Sequence, residues 1–355
     1  MSFPKKTDVS IPHEQPSGGV HTQLSELSPA YFGMAMATGI VSLGTQLVGL
    51  NSIANALFLL NIIAYTTLLI LTVLRMSLYP RRFFGDMTDH LRGSGFFTTI
   101  AATGILGSQF ILLKSNYFVG AIFLVVAVLL WVGLTYTIFA SFTIKEEKPT
   151  LDKGISGAWL LIAILSALLA EHVGQPGKLE MNFLALSMWL WGGMLYIWMM
   201  SLIFYRYTFF PFSPADLSPP YWINMGAMAI STLAGSLLII NVPHAPYLAS
   251  LLPFIKGFTV FYWVTGTWWI PMLLILGIWR HVYKRFPLKY DPLYWGAVFP
   301  LGMYAVSTGR MSQAMGFDFL WFLAPVFLCI ALLAWTMTFS GLVKDFLRRA
   351  RAFRV

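Results

Sequence analysis

Apolar residues in this chain gather into ten long runs separated by short polar stretches. The runs lie at roughly 29–48, 52–76, 95–113, 117–142, 155–171, 181–207, 221–241, 257–282, 293–310 and 319–346. A helix needs about 20 apolar residues to cross a bilayer, whereas barrel strands show short alternating stretches. The pattern therefore predicts an all-α integral membrane protein with ten transmembrane helices. Odd-numbered runs are shorter and richer in small residues. The first carries Gly33, Ala35, Ala37, Thr38, Gly39, Ser42 and Gly44, while the second has no glycine and is rich in Leu and Ile. Small residues let helices approach closely in lipid, and they also leave a lumen open if they face one. Connections within pairs 1–2, 3–4 and 9–10 are short, and those between pairs hold most of the charge. This predicts five helical hairpins.

The odd runs open alike. Ser28-Pro29-Ala30-Tyr31-Phe32-Gly33, Ser218-Pro219-Pro220-Tyr221-Trp222 and Asp291-Pro292-Leu293-Tyr294-Trp295-Gly296 each combine a helix N-cap with a first-turn proline. Weaker echoes are Ser94-Gly95-Phe96-Phe97 and Ser156-Gly157-Ala158-Trp159. The aromatics suit an interfacial depth. Similar starts imply similar direction, so the odd helices are expected inside a pseudo-fivefold ring around a central pore, with longer return helices outside.

Aligning these starts sets Phe299 level with Met36, Ala101, Ala163 and Gly226. One large ring among small residues predicts a constriction plugged by Phe299, with Met36 the next bulkiest. Pro300 removes a backbone donor and is expected to break the ninth helix, pushing Phe299 toward an extended conformation. Gly302 adds a further gap in the side-chain surface. The expected lining includes Pro300, Gly302, Ala101, Ala163, Gly226 and the polar Thr38, Ser42, Asn224 and Ser231, with Thr103, Ser108, Thr232, Ser307 and Thr308 as further candidates. Hydroxyl and amide groups can solvate an anion weakly enough to release it, or they can bond their own helix backbone.

Composition agrees with this picture. Hydrophobic residues make up 57% of the chain, charged residues only 10%, and mean hydropathy is +0.71. The formal charge of +9 follows from topology rather than from nucleic-acid binding. Of the 23 Lys and Arg, all but Lys114, Lys178, Lys256 and Arg310 fall in the tails or in connections after even runs. The positive-inside rule then sets both termini in the cytoplasm. A multi-pass location in the cell (inner or plasma) membrane is expected, and the basic rim can hold anionic lipid headgroups. Lys114, Lys256 and Arg310 are candidates for attracting anions. Residues 1–27 predict a flexible cytoplasmic tail without a signal peptide, 28–346 the transmembrane domain, and 347–355 a basic cytoplasmic tail.

Signatures of enzymes are missing from the sequence: there is no GxxxxGK[ST], HExxH or CxxC. No cofactor or metal is expected. Cys329 is expected to be a buried packing residue. No carboxylate falls clearly mid-span, which argues against a cation path. Glu171 and His172, adjacent at the end of the fifth run, could relay protons in a coupled carrier or be solvated. A membrane-embedded enzyme or an anion sensor is the remaining alternative. An enzyme would need clustered acid or histidine groups, and a sensor would need a signalling domain.

Three motifs carry a family resemblance: residues 29–42 (Pro-Ala-Tyr-Phe-Gly-Met-Ala-Met-Ala-Thr-Gly-Ile-Val-Ser), 222–231 (Trp-Ile-Asn-Met-Gly-Ala-Met-Ala-Ile-Ser) and 295–304 (Trp-Gly-Ala-Val-Phe-Pro-Leu-Gly-Met-Tyr). Over about residues 25–346 the chain resembles the tellurite-resistance/dicarboxylate transporter family. That family includes a bacterial tellurite-resistance channel homologue, the fungal malate permease and sulfite pump, and the plant slow-type anion channels. The resemblance implies five hairpins around a pore, a homotrimer with one pore per subunit, and Phe299 as the residue that occludes it. It implies small anionic substrates: inorganic anions, C4-dicarboxylates such as malate, sulfite or tellurite.

Overall fold

The computed structural model of the protein describes residues 20–145, 160–170, 172, 177–211, 213–214, 217, 219–287 and 290–352. No strand occurs among the described residues. The helices are α1 (Val20–Ser25), α2 (Phe32–Leu47), α3 (Asn51–Leu78), α4 (Pro80–Thr88), α5 (His90–Gly93), α6 (Phe97–Lys114) and α7 (Tyr117–Ile144). They continue with α8 (Leu160–Ala170), α9 (Gly177–Phe209), α10 (Ile223–Ile240), α11 (Pro246–Ile278), α12 (Trp295–Met315) and α13 (Leu323–Ala352). Each of the ten apolar runs contains one of these helices, the fifth over its described residues 160–170.

The expected openings take a common form. Ser28 accepts a hydrogen bond from the Ala30 amide, and Asp291 accepts one from Leu293 at 2.8 Å. Behind these caps the chain makes a 3-10 turn at Pro29–Tyr31 and at Pro292–Tyr294, with counterparts at Ser94–Phe96 and Pro219–Trp222. Proline suits such a turn because its missing N–H has no intrahelical partner there. The turn at Pro29–Tyr31 contacts those at Ser94–Phe96 and Pro292–Tyr294, and the turn at Pro219–Trp222 contacts that at Pro292–Tyr294. Four helices thus start at one end and run the same way. The opening at 156–159 lies outside the described residues.

Helix contacts sort into two sets. Each of α2, α6, α8, α10 and α12 packs on the long helix that follows it: α3, α7, α9, α11 and α13. Contacts among the first set run α2–α6, α6–α8, α8–α10, α10–α12 and α12–α2, which closes a cycle. Residues of this inner set are almost all buried. The outer set exposes large apolar side chains, among them Leu59, Phe118, Leu129, Phe183, Val264 and Leu333, each more than half exposed. Such a belt suits lipid, which asks only that backbone polar groups be satisfied within helices.

Among the described residues, six helices are long and apolar enough to cross a membrane, spanning Asn51–Leu78, Ser94–Lys114, Tyr117–Ile144, Lys178–Phe209, Pro246–Tyr283 and Asp318–Arg348. The remaining four inner helices are shorter or less apolar. Their small and hydroxyl residues meet protein rather than lipid, so nothing requires them to be greasy.

Three sequence expectations change. Helix α12 runs unbroken from Trp295 to Met315, with Pro300 and Phe299 inside it. The missing donor frees only one carbonyl, and neighbouring helices surround the helix on the Pro300 side. Helix α11 begins at Pro246, eleven residues before the expected start, and carries Pro253 and Pro271 internally. Cys329 is exposed on α13 rather than buried. A short helix, α1, also forms within the stretch expected to be a tail. Arg75, only 2% exposed, donates to the Ser25 carbonyl and pairs with Asp86 of α4, while Arg82 donates to the Ser25 hydroxyl.

Candidate functional site

The inner helices enclose a cavity to which all five contribute. Its wall includes Leu43 and Leu47 of α2, Ser108 and Leu112 of α6, Leu233 and Leu237 of α10, and Val306 and Arg310 of α12. Ile164 and Leu168 of α8 complete the circle, and Gln46 of α2 and Ile105 of α6 add to the wall. The space open to the centre of a water-sized sphere is about 20 Å³, room for about one water.

The cavity fixes which stripe of each inner helix faces the axis. On four helices its residues lie seven and eleven positions beyond the aligned set: Met36 precedes Leu43 and Leu47, Ala101 precedes Ser108 and Leu112, Gly226 precedes Leu233 and Leu237, and Phe299 precedes Val306 and Arg310. Seven or eleven residues return to within about 20° of the same helix face. Phe299 therefore lies on the cavity stripe of α12, with Arg310 about 16 Å further along the axis at 1.5 Å per residue. Phe299 is 2% exposed, and Met36, Ala101 and Ala163 are equally enclosed. On α8 the register differs. Its cavity residues are Ile164 and Leu168, so Ala163 sits about 100° round from the first and about 140° from the second.

The small residues at this level are taken up by packing. A β-carbon added to Gly226 would lie 2.8 Å from Cγ of Pro300, and one added to Gly302 would lie 3.0 Å from Ile40. Gly226 and Pro300 thus form the close seam between α10 and α12, and Gly302 the seam between α12 and α2.

Most candidate hydroxyls bond to helices. Ser42 donates to the Ala54 carbonyl of α3 at 2.8 Å, and Ser108 donates to Gly104 of its own helix at 2.8 Å. Ser231 and Thr232 donate to Ala227 and Met228, and Ser307 to Tyr304. Thr38 accepts from the Trp335 indole at 3.0 Å, and Thr308 accepts from Trp263 at 2.9 Å. Thr103 bonds the Tyr65 hydroxyl, and Trp189 donates to the Ser231 carbonyl at 2.9 Å. A rule emerges from these pairs. A ring group on an outer helix ties to the inner helix of the next hairpin: α3 to α6, α9 to α10, α11 to α12, and α13 back to α2. Sequence reasoning missed these ties, because a membrane tryptophan normally reads as an interfacial anchor. The Asn224 amide nitrogen is buried with no partner among the described residues.

The basic candidates are scattered. Arg310 lines the cavity and donates to Gln313 at 3.1 Å. Lys114 donates to Asn55 at 2.7 Å at the end of α6, and Lys256 is exposed on the outer helix α11. Glu171 lies outside the described residues. His172 is exposed and stacks on Tyr117, with ring centroids 3.6 Å apart. Among the described residues, no group of three His, Cys, Asp or Glu could hold a metal.

Residues 26–343 match the SLAC1 family, described as voltage-dependent anion channel. An uncharacterized membrane protein of Mycobacterium tuberculosis is 39% identical over 149 residues, covering 42% of this chain and 75% of its own. An uncharacterized transporter of Methanocaldococcus jannaschii is 26% identical, covering 84% of this chain and 89% of its own. A sulfite efflux pump of Trichophyton rubrum is 22% identical, covering 89% of this chain and 90% of its own. With a family match across nearly the whole length, the chain belongs to the SLAC1 anion-channel family.

Proposed function

We propose that the protein moves small anions across the cell membrane along the axis of its five inner helices, and that Phe299, with Met36 beside it in register, occludes this path. Ten helices would cross the membrane with both termini in the cytoplasm, and three copies would assemble with one path each. The observation that carries the reading is the stripe on α12. Phe299 shares a helix face with Val306 and Arg310, which border a cavity lined by all five inner helices. A buried ring on that stripe would have to move for an anion to pass. The substrate would be an inorganic anion, sulfite, tellurite or a small dicarboxylate. Sulfite gains support from the fungal relative, an efflux pump for that ion.

The test is anion conductance of purified protein in liposomes. Phe299→Ala should raise it well above wild type. Truncating a buried Phe costs about 3–5 kcal/mol, so Phe299→Leu should be run beside it as a milder opening. A conductance unchanged in both variants, with protein folded and inserted, would remove Phe299 as the obstruction.

A further inference from the structure

The chemistry of the cavity wall says more than that an anion passes. Leu, Ile and Val make up most of it, and the polar groups are Arg310, Gln46 and Ser108. What each can offer is restricted by the bonds it already makes. The Ser108 hydroxyl spends its hydrogen on the Gly104 carbonyl at 2.8 Å, so it turns only lone pairs to the cavity. Gln46 donates one amide hydrogen to the Leu112 carbonyl at 3.2 Å and keeps the other. Arg310 commits one N–H to Gln313 at 3.1 Å and keeps the rest of its fork. The ion pairs among the described residues join Arg75 and Arg92 to Asp86, and none involves Arg310. The cavity therefore holds one positive charge, a few free N–H donors, and an apolar remainder.

We propose that this cavity is a binding station for a single small monovalent anion, held by Arg310 with the free Gln46 amide hydrogen, and that it disfavours dianions. The proposal rests on the reading of the inner helices as the anion path. One guanidinium balances one negative charge. A dianion would leave its second charge against leucine and valine side chains with no compensating group, and burying an unpaired charge is costly. An apolar wall also keeps the hold loose, since few donors compete with rehydration once the ion leaves.

Two measurements test this. The first is thermal unfolding of detergent-solubilised wild type titrated with sodium nitrate or with sodium malate. Nitrate should raise the midpoint with saturation, and malate at equal ionic strength should not. In Arg310→Gln the nitrate effect should require at least about tenfold more anion, the usual scale for losing a charged hydrogen bond. Arg310→Lys, which keeps the charge, should retain most of it. Equal nitrate responses in wild type and Arg310→Gln, or a malate response matching nitrate, would overturn the station. The second is flux in liposomes with Phe299→Ala protein, with and without Arg310→Gln. Nitrate flux that falls with Arg310→Gln supports the station, and flux indifferent to it overturns the station while leaving the transport reading intact. Arg310-dependent nitrate binding in a protein whose Phe299→Ala form carries no anion would instead overturn the transport reading alone.

Discussion

Gly226→Ala is the sharpest probe of the seam that holds Phe299 in place. The added methyl would meet Pro300 at 2.8 Å from Cγ, 3.1 Å from Cβ and 3.3 Å from Cα. Carbon atoms in van der Waals contact sit at about 3.5–4.0 Å. The proline ring has no rotamer to swing away, and the Cα belongs to the helix itself. The strain is relieved only if α12 backs off from α10 by roughly 0.7 Å at the level of Phe299, the gap between 2.8 Å and the near edge of that contact range. Overpacking of this kind costs about 1–3 kcal/mol. Gly133 of α7 supplies the control, because a β-carbon there meets nothing within 4 Å. Gly133→Ala should leave stability level or raise it by up to about 1 kcal/mol through helix propensity. Thermal unfolding in detergent, followed by intrinsic tryptophan fluorescence, should show a lower midpoint for Gly226→Ala and an equal or higher one for Gly133→Ala. Anion conductance of the folded Gly226→Ala protein should also depart from wild type, since Pro300 adjoins Phe299. The reasoning fails if Gly226→Ala is as stable and conducts as wild type does, for then the seam is not tight.

Two further outcomes follow from bonds in the structure. Trp335→Phe removes the indole donor to Thr38 but keeps a ring to stack on Phe339, so it should destabilise by about 1 kcal/mol; Trp131→Phe, whose indole has no acceptor among the described residues, should be neutral or mildly stabilising in the same unfolding assay. Arg75→Met strips a buried cation from Asp86, which keeps Arg92, and from the Ser25 carbonyl, and should cost about 1.5–3 kcal/mol while making the Val20–Ser25 segment more susceptible to limited proteolysis.

Much of the architecture follows from the sequence alone. Ten apolar runs gave ten helices because an amide in lipid has no other partner than its own helix. The repeated Ser/Asp-Pro-aromatic openings predicted inner helices of one direction, and their 3-10 turns do gather at one end. The alignment through those openings put Phe299, Met36, Ala101 and Gly226 on the stripes that lead to the cavity. Tertiary structure decided what spacing could not. Pro300 does not break its helix, because packing on Gly226 holds the chain helical through it. The α8 register departs from Ala163, because a weak opening motif cannot fix a one-residue offset. The hydroxyls expected in a lumen are mostly spent on backbone and on outer-helix rings, a choice made by which neighbour comes within 3 Å. Arg310, one of four basic residues set apart by topology, acquires its place in the cavity only when five helices close around it. A periodicity tells which face of a helix is alike from turn to turn, but only the neighbouring helices determine what that face meets.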